Sequence, residues 1–435
     1  MRKIRLGDIA NVDISGIDKK TKEGESAVRL CNFTDVYYNW AITKNMYNGL
    51  MHASASDSDI KTFSLCKGQV AITKDSETRD DIGVATYIAD DFDDVVLGYH
   101  CALITPRTDV SEDGRIYGKY LNALLHTKYA QKYFSNNATG SGQRYTLSKE
   151  AVEDMPVYLP TYKEQVRIGD YLSDIDRKIE INNLINMELE SMLKQIYDYW
   201  FMQFDFPDEN GNPYKSSGGK MIWHNTLNRE VPEGWDSCLV SDYIQPIERG
   251  ISYTSESIES PHGEPMLNLA CFTKSGDYRR GELKFYSGII DDNSIIYPGD
   301  MLIACTDMTR DAGIVGSPII VNKEYEKYVY TTDLAKLTPK GTNSKFYLNY
   351  VLKDTSFHKY IKPFASGTNV LHLNLKGVED FIMVKAPSSV VEKFDKICEN
   401  NKELQDTLTN DIVCLEKQRE MILPLLLNGQ YTIKE

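Results

Sequence analysis

The chain repeats itself with a period of about 230 residues, and this feature constrains its fold more than any other. Gly68 matches Gly299, and the segment Thr78-Arg79-Asp80 matches Thr309-Arg310-Asp311, both at an offset of 231. Three later blocks match at offsets between 225 and 227, namely Tyr120-Leu121-Asn122 with Tyr347-Leu348-Asn349, Gly142 with Gly367, and Pro160 with Pro387. A period of this length is too long for a solenoid, so it predicts a duplicated domain.

Both copies follow the same order of local patterns. Strand-like runs beside a glycine turn come first, followed by a helical stretch, a Gly/Ser loop, one more strand-like run and a long helix. In the first copy these are 68–73, 117–134, 139–142 and the run ending at Pro160, and in the second they are 295–305, 346–361, 365–367 and the run ending at Pro387. Each globular part is therefore predicted to be α+β.

A long helix with a regular apolar seam follows each globular part. Apolar residues and asparagines recur there at alternating steps of four and three residues, a spacing typical of a coiled coil. The first seam is Ile168, Leu172, Ile175, Ile179, Asn182, Asn186, Leu189, Leu193, Ile196 and Trp200; the second is Val390, Phe394, Ile397, Asn401, Leu404, Leu408, Ile412, Leu415 and Ile422. Asparagine on a seam favours a fixed partner and register.

One long helix behind each copy predicts that the two helices pair antiparallel as a coiled coil, although ordinary core-facing helices are the alternative. The predicted fold is α+β, with two tandem domains separated by the two long helices. Its predicted parts are a first domain at 1–160, a central helix and linker at 161–235, a second domain at 236–387, and a second helix at 388–435.

Composition limits the class of protein. No apolar run is long enough to cross a membrane or act as a signal peptide, and the eight cysteines are far apart and have no Cys-x-x-Cys spacing. These features predict a cytoplasmic protein with reduced thiols and no metal site.

The net charge of −14 counts against a simple basic DNA-binding domain, because neutralising phosphates dominates affinity for nucleic acid. The acidity is spread along the chain, however, and residues 1–155 and 236–385 each carry only −3. Electrostatic steering depends on local patches, so binding to DNA stays open.

Short motifs around the first long helix carry a resemblance to a known family. They are Pro160-x3-Glu164-Gln165-x2-Ile168, Asp174-Ile175-Asp176-x-Lys178-Ile179, Tyr197-x2-Trp200-Phe201, Gly211-x-Pro213-Tyr214-Lys215-x2-Gly218-Gly219 and Val231-Pro232-x-Gly234-Trp235. In this order they resemble the central region of the specificity subunits of Type I restriction-modification enzymes. The second helix departs from the pattern, since Ser388 to Lys393 lacks the Glu-Gln pair of the first.

The resemblance implies a function without catalysis in this chain. In that family each globular part is a target-recognition domain that reads one half of a bipartite sequence in double-stranded DNA, and the paired helices set the gap. The helices recruit two modification (methyltransferase) subunits, and restriction/translocase subunits then join. S-adenosylmethionine is accordingly expected in the partner methyltransferase subunits, and this chain is expected to hold no cofactor.

Two kinds of loop and one basic cluster are candidates for contact with DNA. The cluster is Lys274, Arg279 and Arg280 around Tyr278, where phosphate contact or a solvated hairpin is expected. The Gly/Ser loops offer side chains for base edges, where Gln or Asn suits adenine and Arg suits guanine, or they are plain turns. Arg79 and Arg310 are equivalent in two domains that should read different sequences, so phosphate contact or an ion pair with Asp80 or Asp311 is expected there. The full set of candidates is Lys74, Arg79, Gln143, Arg144, Tyr145, Lys274, Arg279, Arg280, Arg310, Thr368 and Asn369.

Motifs for catalysis are incomplete. Asn212-Pro213-Tyr214 lacks the second proline of an adenine-binding motif, and Ser217-Gly218-Gly219-Lys220 lacks the other elements of a phosphate loop. The competing hypothesis is a coiled-coil protein-interaction scaffold that does not read DNA, since a repeated domain with a helix suits that function too.

Overall fold

The computed structural model describes residues 2–140, 142, 144–258, 262–273, 278–279, 282–309 and 311–433. The chain divides into two compact units, Met1–Ile181 with Ile412–Glu435 as the first unit and Asn182–Asp411 as the second. Each long helix contributes residues to both units, since the division falls within each of them. The domain boundaries expected from the sequence stay predictions.

The first unit mixes short strands and short helices. Its strands are β1 (Arg2–Arg5), β2 (Ala10–Ile14), β3 (Ser26–Cys31), β4 (Ala41–Ile42), β5 (Met51–Ala55), β6 (Val70–Thr73), β7 (Asp75–Ser76), β8 (Ala85–Ile88), β9 (Val95–Leu97), β10 (Cys101–Pro106), β11 (Thr139–Gly140), β12 (Tyr145–Thr146) and β13 (Pro156–Leu159). Its helices are α1 (Leu6–Ile9), α2 (Phe33–Tyr38), α3 (Asp57–Phe63), α4 (Gly118–Leu125), α5 (Lys128–Asn137), α6 (Lys149–Glu153) and the first part of α7 (Tyr162–Tyr197).

A five-stranded sheet in the order β2-β10-β6-β8-β4 organises the first unit. Val70 and Ile72 of β6 belong to one apolar cluster and Ala71 to another, because successive side chains of a strand point to opposite faces. The sheet is thus covered on both sides, which explains why β6 reads as a continuous apolar run. Smaller sheets, β5-β3-β9, β11-β12-β7 and β1-β13, complete the unit.

The second unit repeats this plan. After the hairpin of β14 (Met221–His224) and β15 (Arg229–Pro232), its strands are β16 (Asp236–Leu239), β17 (Glu248–Arg249), β18 (Glu264–Leu267), β19 (Lys284–Tyr286), β20 (Ile295–Ile296), β21 (Met301–Ala304), β22 (Thr306–Asp307), β23 (Pro318–Ile320), β24 (Tyr328–Tyr330), β25 (Leu334–Leu337), β26 (Ala365–Ser366), β27 (Leu371–Leu373) and β28 (Ile382–Lys385). Its helices are α8 (Val240–Tyr243), α9 (Lys345–Lys353), α10 (Thr355–Ile361), α11 (Lys376–Glu379) and the first part of α12 (Ser388–Leu427).

The sheets of the second unit have the orders β17-β25-β21-β23, β19-β18-β24-β20, β22-β27-β26 and β16-β28. Met301 and Ile303 of β21 face one apolar cluster, and Leu302 and Ala304 face another, as in β6 of the first unit. In both units the first strand pairs antiparallel with the last strand before a long helix. The predicted α+β class and the predicted long helices are confirmed.

Within the first unit, α7 and α12 pack against each other. Ile175 and Ile179 of α7 form a buried apolar cluster with Ile412 of α12, and Leu415 packs against it. Arg419 Nη1 donates a hydrogen bond to Asp176 Oδ1 at 2.9 Å, further along α12. Residue numbers rise along one helix as they fall along the other, so the two helices run antiparallel in this unit. Leu172 and half-buried Ile168 lie closer to the start of α7 and pack against the globular core instead.

Within the second unit, an aromatic cluster joins the end of α7 to the start of α12. Leu193, Tyr197 and Phe201 are buried together with Phe394, and the ring centroids of Phe201 and Phe394 lie 5.2 Å apart. Trp200 is half-buried with its ring centroid 6.2 Å from that of Phe394, and Leu189, Ile397 and Leu408 are also half-buried. A π-helical turn at Asp198–Met202 follows α7, and Tyr197 and Phe201 are the fully buried residues at this end.

Two details of the predicted seam need correction. Leu404 is 45% exposed, so it does not pack between the helices, because α12 turns Asp406 inward instead. The Asp406 carboxylate lies 3.1 Å from Lys402 Nζ. Asn401 donates to the carbonyl oxygen of Ile397 in its own helix, so its amide does not fix a register between helices.

The other two seam asparagines are half-buried. Gln405 Nε2 donates to the backbone carbonyl oxygen of Asn186 at 3.4 Å, whereas the side-chain oxygen of Asn186 is buried without a hydrogen-bond partner among the described residues. The link between the helices at this point therefore uses the backbone of Asn186, and among the described residues no hydrogen bond assigns a register role to Asn182.

A stack of Trp40, His126 and Arg419 attaches α12 to the globular part of the first unit. The Trp40 and His126 rings are stacked with centroids 4.2 Å apart, and the Arg419 guanidinium lies 4.6 Å from the Trp40 ring centroid. Burial, together with the nearby positive charge of Arg419, lowers the pKa of His126 to about 4. The imidazole is therefore neutral in the folded protein at neutral pH.

His126 should make the first unit sensitive to acid. Its folded pKa lies below the ordinary value of 6.5, so its contribution to stability is present above pH 6.5 and is lost as the pH falls towards 4. We expect the loss between pH 8 and pH 5 to be about 2 kcal/mol. Hydrogen exchange of the α4 amides, corrected for intrinsic rates, should show this loss in the native protein and not in His126→Gln. Asp176 and the other titratable groups are present in both proteins, so only His126 can cause a difference between them. Equal acid sensitivity in the two proteins would therefore show that His126 is not the group responsible.

None of the described helices combines the length and the apolar character that crossing a lipid bilayer requires.

Candidate nucleic-acid interface

A small three-stranded sheet holds the Gly/Ser loop of the first unit. β11 and β12 pair around the loop, with Gly140 opposite Tyr145, and β12 also pairs with β7. Gly140 has a φ of 146°, and a β-carbon there would lie 2.1 Å from the carbonyl oxygen of Arg144. Only glycine fits such a position, so the shape of this hairpin depends on it.

The second unit contains the same hairpin. β26 and β27 pair around residues 367–370, and β27 pairs with β22. Gly367 has a φ of 147°, and a β-carbon there would lie 1.9 Å from the carbonyl oxygen of Val370. Thr368 and Asn369, two of the predicted DNA contacts, are exposed between the strands.

This geometry corrects one alignment made from the sequence. Gly142 was matched with Gly367, but Gly142 has a φ of 57° and no atom within 4 Å of an added β-carbon. Gly140 shares both the φ value and the crowded carbonyl contact of Gly367, so these two glycines are equivalent. Arg144 then corresponds to Val370, because each supplies that carbonyl oxygen. The loop of the first unit is one residue longer, and it contains a second glycine, Gly142, two positions after the equivalent one.

Beside the hairpin of the first unit, three basic side chains converge on one buried carboxylate. The Asp75 side chain is only 8% exposed, and its Oδ2 lies 2.9 Å from Lys74 Nζ, 2.5 Å from His100 Nδ1 and 3.5 Å from Arg144 Nη2. Arg144 Nη2 also lies beside both ring nitrogens of His100, in contact with Nδ1 and 3.0 Å from Nε2. The Arg144 side chain is 55% exposed.

The cluster keeps Asp75 ionised. Burial by itself raises the pKa of Asp75, but hydrogen bonds from Thr146, His100 and Lys74 together outweigh it and hold the pKa below the ordinary value. Lys74 is largely buried and forms an ion pair with this carboxylate, and its ammonium lies 5.4 Å from the Tyr99 ring centroid. Lys74 therefore supports the surface, and Arg144 carries the exposed positive charge.

Arg79 contacts the same hairpin through Tyr145. Its guanidinium is 5.3 Å from the ring centroid of half-buried Tyr145, and it donates to the carbonyl oxygen of Ala138 at 3.5 Å. The expected alternative, an ion pair with Asp80, does not form in the described part of the chain, where Asp80 accepts from Ser135. Exposed Arg79 is thus positioned by an aromatic ring and a backbone carbonyl.

The remaining predicted contacts are described unevenly. Arg279 is exposed, and its backbone N–H donates to Cys271. Gln143, Lys274, Arg280 and Arg310 lie outside the described residues. The structure thus brings together Lys74, Arg79, Arg144 and Tyr145 in the first unit, and Thr368 with Asn369 in the second.

Sequence reasoning missed five residues at these surfaces. In the first unit they are Asp75 and His100, and His100 has a φ of 74°, a conformation uncommon outside glycine. In the second unit Thr306 Oγ1 donates to Asp333 Oδ1 at 3.0 Å, and exposed Arg249 donates to the carbonyl oxygen of Thr332. Their sequence positions carry no motif, because each depends on which strands lie side by side.

The described residues contain no group of three or more His, Cys, Asp or Glu side chains that could hold a metal ion. The segment that contains Asn212-Pro213-Tyr214 forms a compact turn. The Tyr214 ring stacks on Phe206 at 4.7 Å, and the backbone N–H of Asn212 donates to Asp208.

The comparisons with known proteins agree on one family. Residues 1–191 match the family model described as Type I restriction modification DNA specificity domain. The Type I restriction enzyme MjaIX specificity subunit of Methanocaldococcus jannaschii is 23% identical over 336 residues, which cover 76% of this chain and 72% of that protein. The HindI specificity subunit of Haemophilus influenzae is 23% identical over 406 residues, covering 82% and 85%.

A solved structure has a similar fold. The Type I restriction-modification system S subunit from M. genitalium aligns with a TM-score of 0.53 and 13% identity, covering 98% of this chain and 95% of that one. At this identity the likeness concerns the fold. The resemblance found in the sequence motifs is confirmed by these comparisons, and so is the fold class that it implies.

Proposed function

Because residues 1–191 match the family model described as Type I restriction modification DNA specificity domain, we propose that the chain is the specificity subunit of a Type I restriction-modification complex. It reads a bipartite target in double-stranded DNA, with one part read by each unit. It performs no chemistry itself, and S-adenosylmethionine binds to the partner methyltransferase subunits.

One observation carries this proposal: both units hold the same hairpin but fill it with different side chains. Gly140 and Gly367 impose one backbone shape, whereas Arg144 and Val370 occupy the equivalent position before the second strand. A duplicated frame with exchanged side chains is what two modules need if they bind the same duplex and read different bases.

The negative charge of the chain supports binding to DNA in which partner subunits supply part of the contacts. A protein with a net charge of −14 has few positive groups to spare for phosphates, which supply most of the affinity for DNA. We propose that two modification (methyltransferase) subunits provide most phosphate contacts and that restriction/translocase subunits join the complex. The chain alone is then a weak DNA binder.

The long helices suit attachment of these partners. In the second unit, Ile185, Met192 and Tyr199 are 38%, 47% and 40% exposed and recur every seven residues along α7 and its terminal turn. Side chains seven apart lie on one face of a helix, so they form an apolar stripe that a partner helix can cover. Leu404, exposed on α12, is available for the same purpose. We propose that the paired helices also set the number of unread base pairs.

A methylation assay on random DNA tests the proposal. The chain is mixed with the methyltransferase subunits of its own system, S-adenosylmethionine and a library of random duplexes, and the methylated molecules are sequenced. We expect enrichment of one sequence in two parts separated by unread positions. The chain without its partners should bind the enriched duplex at least tenfold more weakly at physiological salt.

Two outcomes would overturn the proposal. A complex that assembles but methylates or binds no enriched sequence would support the protein-interaction scaffold instead. Tight binding of S-adenosylmethionine to the isolated chain, measured by equilibrium dialysis, would contradict the assignment of the cofactor to the partner subunits.

A further inference from the structure

We propose that Arg144 reads a guanine in the major groove and that Asp75 and His100 are positioning residues that hold its guanidinium for this contact. The inference rests on the proposed function. It adds the identity of one base in the target and the two residues that hold Arg144 in place to contact it. The first unit should therefore require guanine at one defined position of its half-site.

Backbone hydrogen bonds establish which positions of the two units are equivalent. Lys74 N–H donates to His100 and Leu147 N–H donates to Lys74, while Cys305 N–H donates to Asp333 and Leu373 N–H donates to Cys305. The strand pairs agree, since Asp75 lies opposite Thr146 and Thr306 lies opposite His372. The equivalent positions are Lys74 with Cys305, Asp75 with Thr306, His100 with Asp333, and Arg144 with Val370.

All four positions differ between the units, and this favours contact with a base over contact with a phosphate. Phosphates are the same along any duplex, so a phosphate-binding arginine should recur in both units, as Arg79 and Arg310 do in the sequence. Arg144 has no arginine at its equivalent position, where Val370 stands. The cluster around it is also replaced as a set, since a carboxylate stands at the position of His100 and a hydroxyl at that of Asp75.

The geometry leaves Arg144 both restrained and available. Its Nη2 lies 3.5 Å from Asp75 Oδ2 and in contact with the His100 ring, whereas a guanidinium has five N–H donors in a planar fork. More than half of the side chain is exposed, so the other donors can reach a ligand. In the major groove, guanine offers the O6 and N7 acceptors that such a fork binds in pairs.

Local charge favours the same role. Asp75 is already paired with Lys74 at 2.9 Å, so the positive charge of Arg144 is in excess over the carboxylate that holds it. The cluster therefore presents one net positive charge at an exposed hairpin, while the chain as a whole is acidic.

The test replaces guanines one at a time. Using the duplex enriched by the methylation assay, each guanine of the target is exchanged for 7-deazaguanine, which lacks the N7 acceptor, and binding to the complex with the methyltransferase subunits is measured. We expect one position at which the 7-deazaguanine duplex binds native protein about tenfold more weakly than the guanine duplex does. Arg144→Gln should bind the two duplexes equally well. Asp75→Asn and His100→Asn should each reduce the penalty at that same position. Asparagine tolerates the positive φ of residue 100.

Controls separate this inference from folding defects and from the proposed function. Arg107→Gln removes another arginine of the unit, one bound to Asp109, and should leave every 7-deazaguanine penalty unchanged. The Arg144, Asp75 and His100 variants should keep their penalties at all other guanines. A target without guanine, or equal penalties in native protein and Arg144→Gln, would overturn the inference alone. A native complex without any enriched target would overturn the proposed function instead.

Discussion

Replacing Phe394 by alanine is expected to lower the free energy of unfolding of the second unit by about 3 to 5 kcal/mol. Phe394 is fully buried, and its ring centroid lies 5.2 Å from that of Phe201 and 5.7 Å from that of Tyr350. Truncation removes these ring contacts and leaves a cavity in a cluster that joins α7, α9 and α12. Urea unfolding of the full chain, followed by hydrogen exchange of the α9 amides, measures the loss.

Leu404→Ala is the matched control for this prediction. It lies on the same helix and also removes a large apolar side chain, but 45% of Leu404 is exposed. Its truncation should cost less than about 1 kcal/mol, because little surface returns to water. If both variants lost the same stability, Leu404 would be buried against α7, as the heptad pattern predicted, and its exposure in this structure would be wrong.

The heptad pattern located the helices better than it located their buried faces. Both helices follow the predicted ranges, because a repeat of four and three residues sustained over many turns has no other regular solution. Leu404 was misplaced, since the pattern assumes that every large apolar residue on the stripe is covered. The helix instead buries Asp406, an acid that Lys402 and Lys323 approach at 3.1 and 3.7 Å.

The end of α7 shows a second limit. The stripe continued from Leu193 to Ile196 and Trp200, whereas Tyr197 and Phe201 are the fully buried residues. Leu193, Tyr197 and Phe201 follow one another at steps of four, so the buried face departs from the alternating steps of four and three, and a π-helical turn over 198–202 ends the helix. Local periodicity predicts helices well, but it does not predict a change of helical geometry that packing imposes.

The recognition surface was predictable only where glycine marks it. The Gly/Ser loops identified the hairpin in each unit, because a left-handed turn next to a close carbonyl needs glycine. Asp75 and His100 are 25 residues apart and meet only because β7 and the turn before β10 lie side by side. Contacts of this kind follow from strand order, which a single sequence does not specify.

The two hairpin glycines allow each unit to be disabled separately. In Gly140→Ala the new β-carbon would lie 2.1 Å from the carbonyl oxygen of Arg144, so the hairpin must open and move Arg144. We expect the affinity of the complex for its target to fall by about tenfold to a hundredfold, which corresponds to the loss of one or two base contacts. In Gly367→Ala the clash is with Val370, and the same loss is expected for the other half of the target.

The informative measurement is the sequence that each variant complex still methylates. Gly140→Ala should tolerate mismatches in one half of the target and still discriminate in the other half, and Gly367→Ala should do the reverse. Gly49→Ala is the control, since no atom lies within 4 Å of its added β-carbon, and it should change neither half. Because linked contacts reinforce one another, the double variant should lose more affinity than either single variant. If both single variants relaxed the same half, the two hairpins would contact one site, and the assignment of one unit to each half would be wrong.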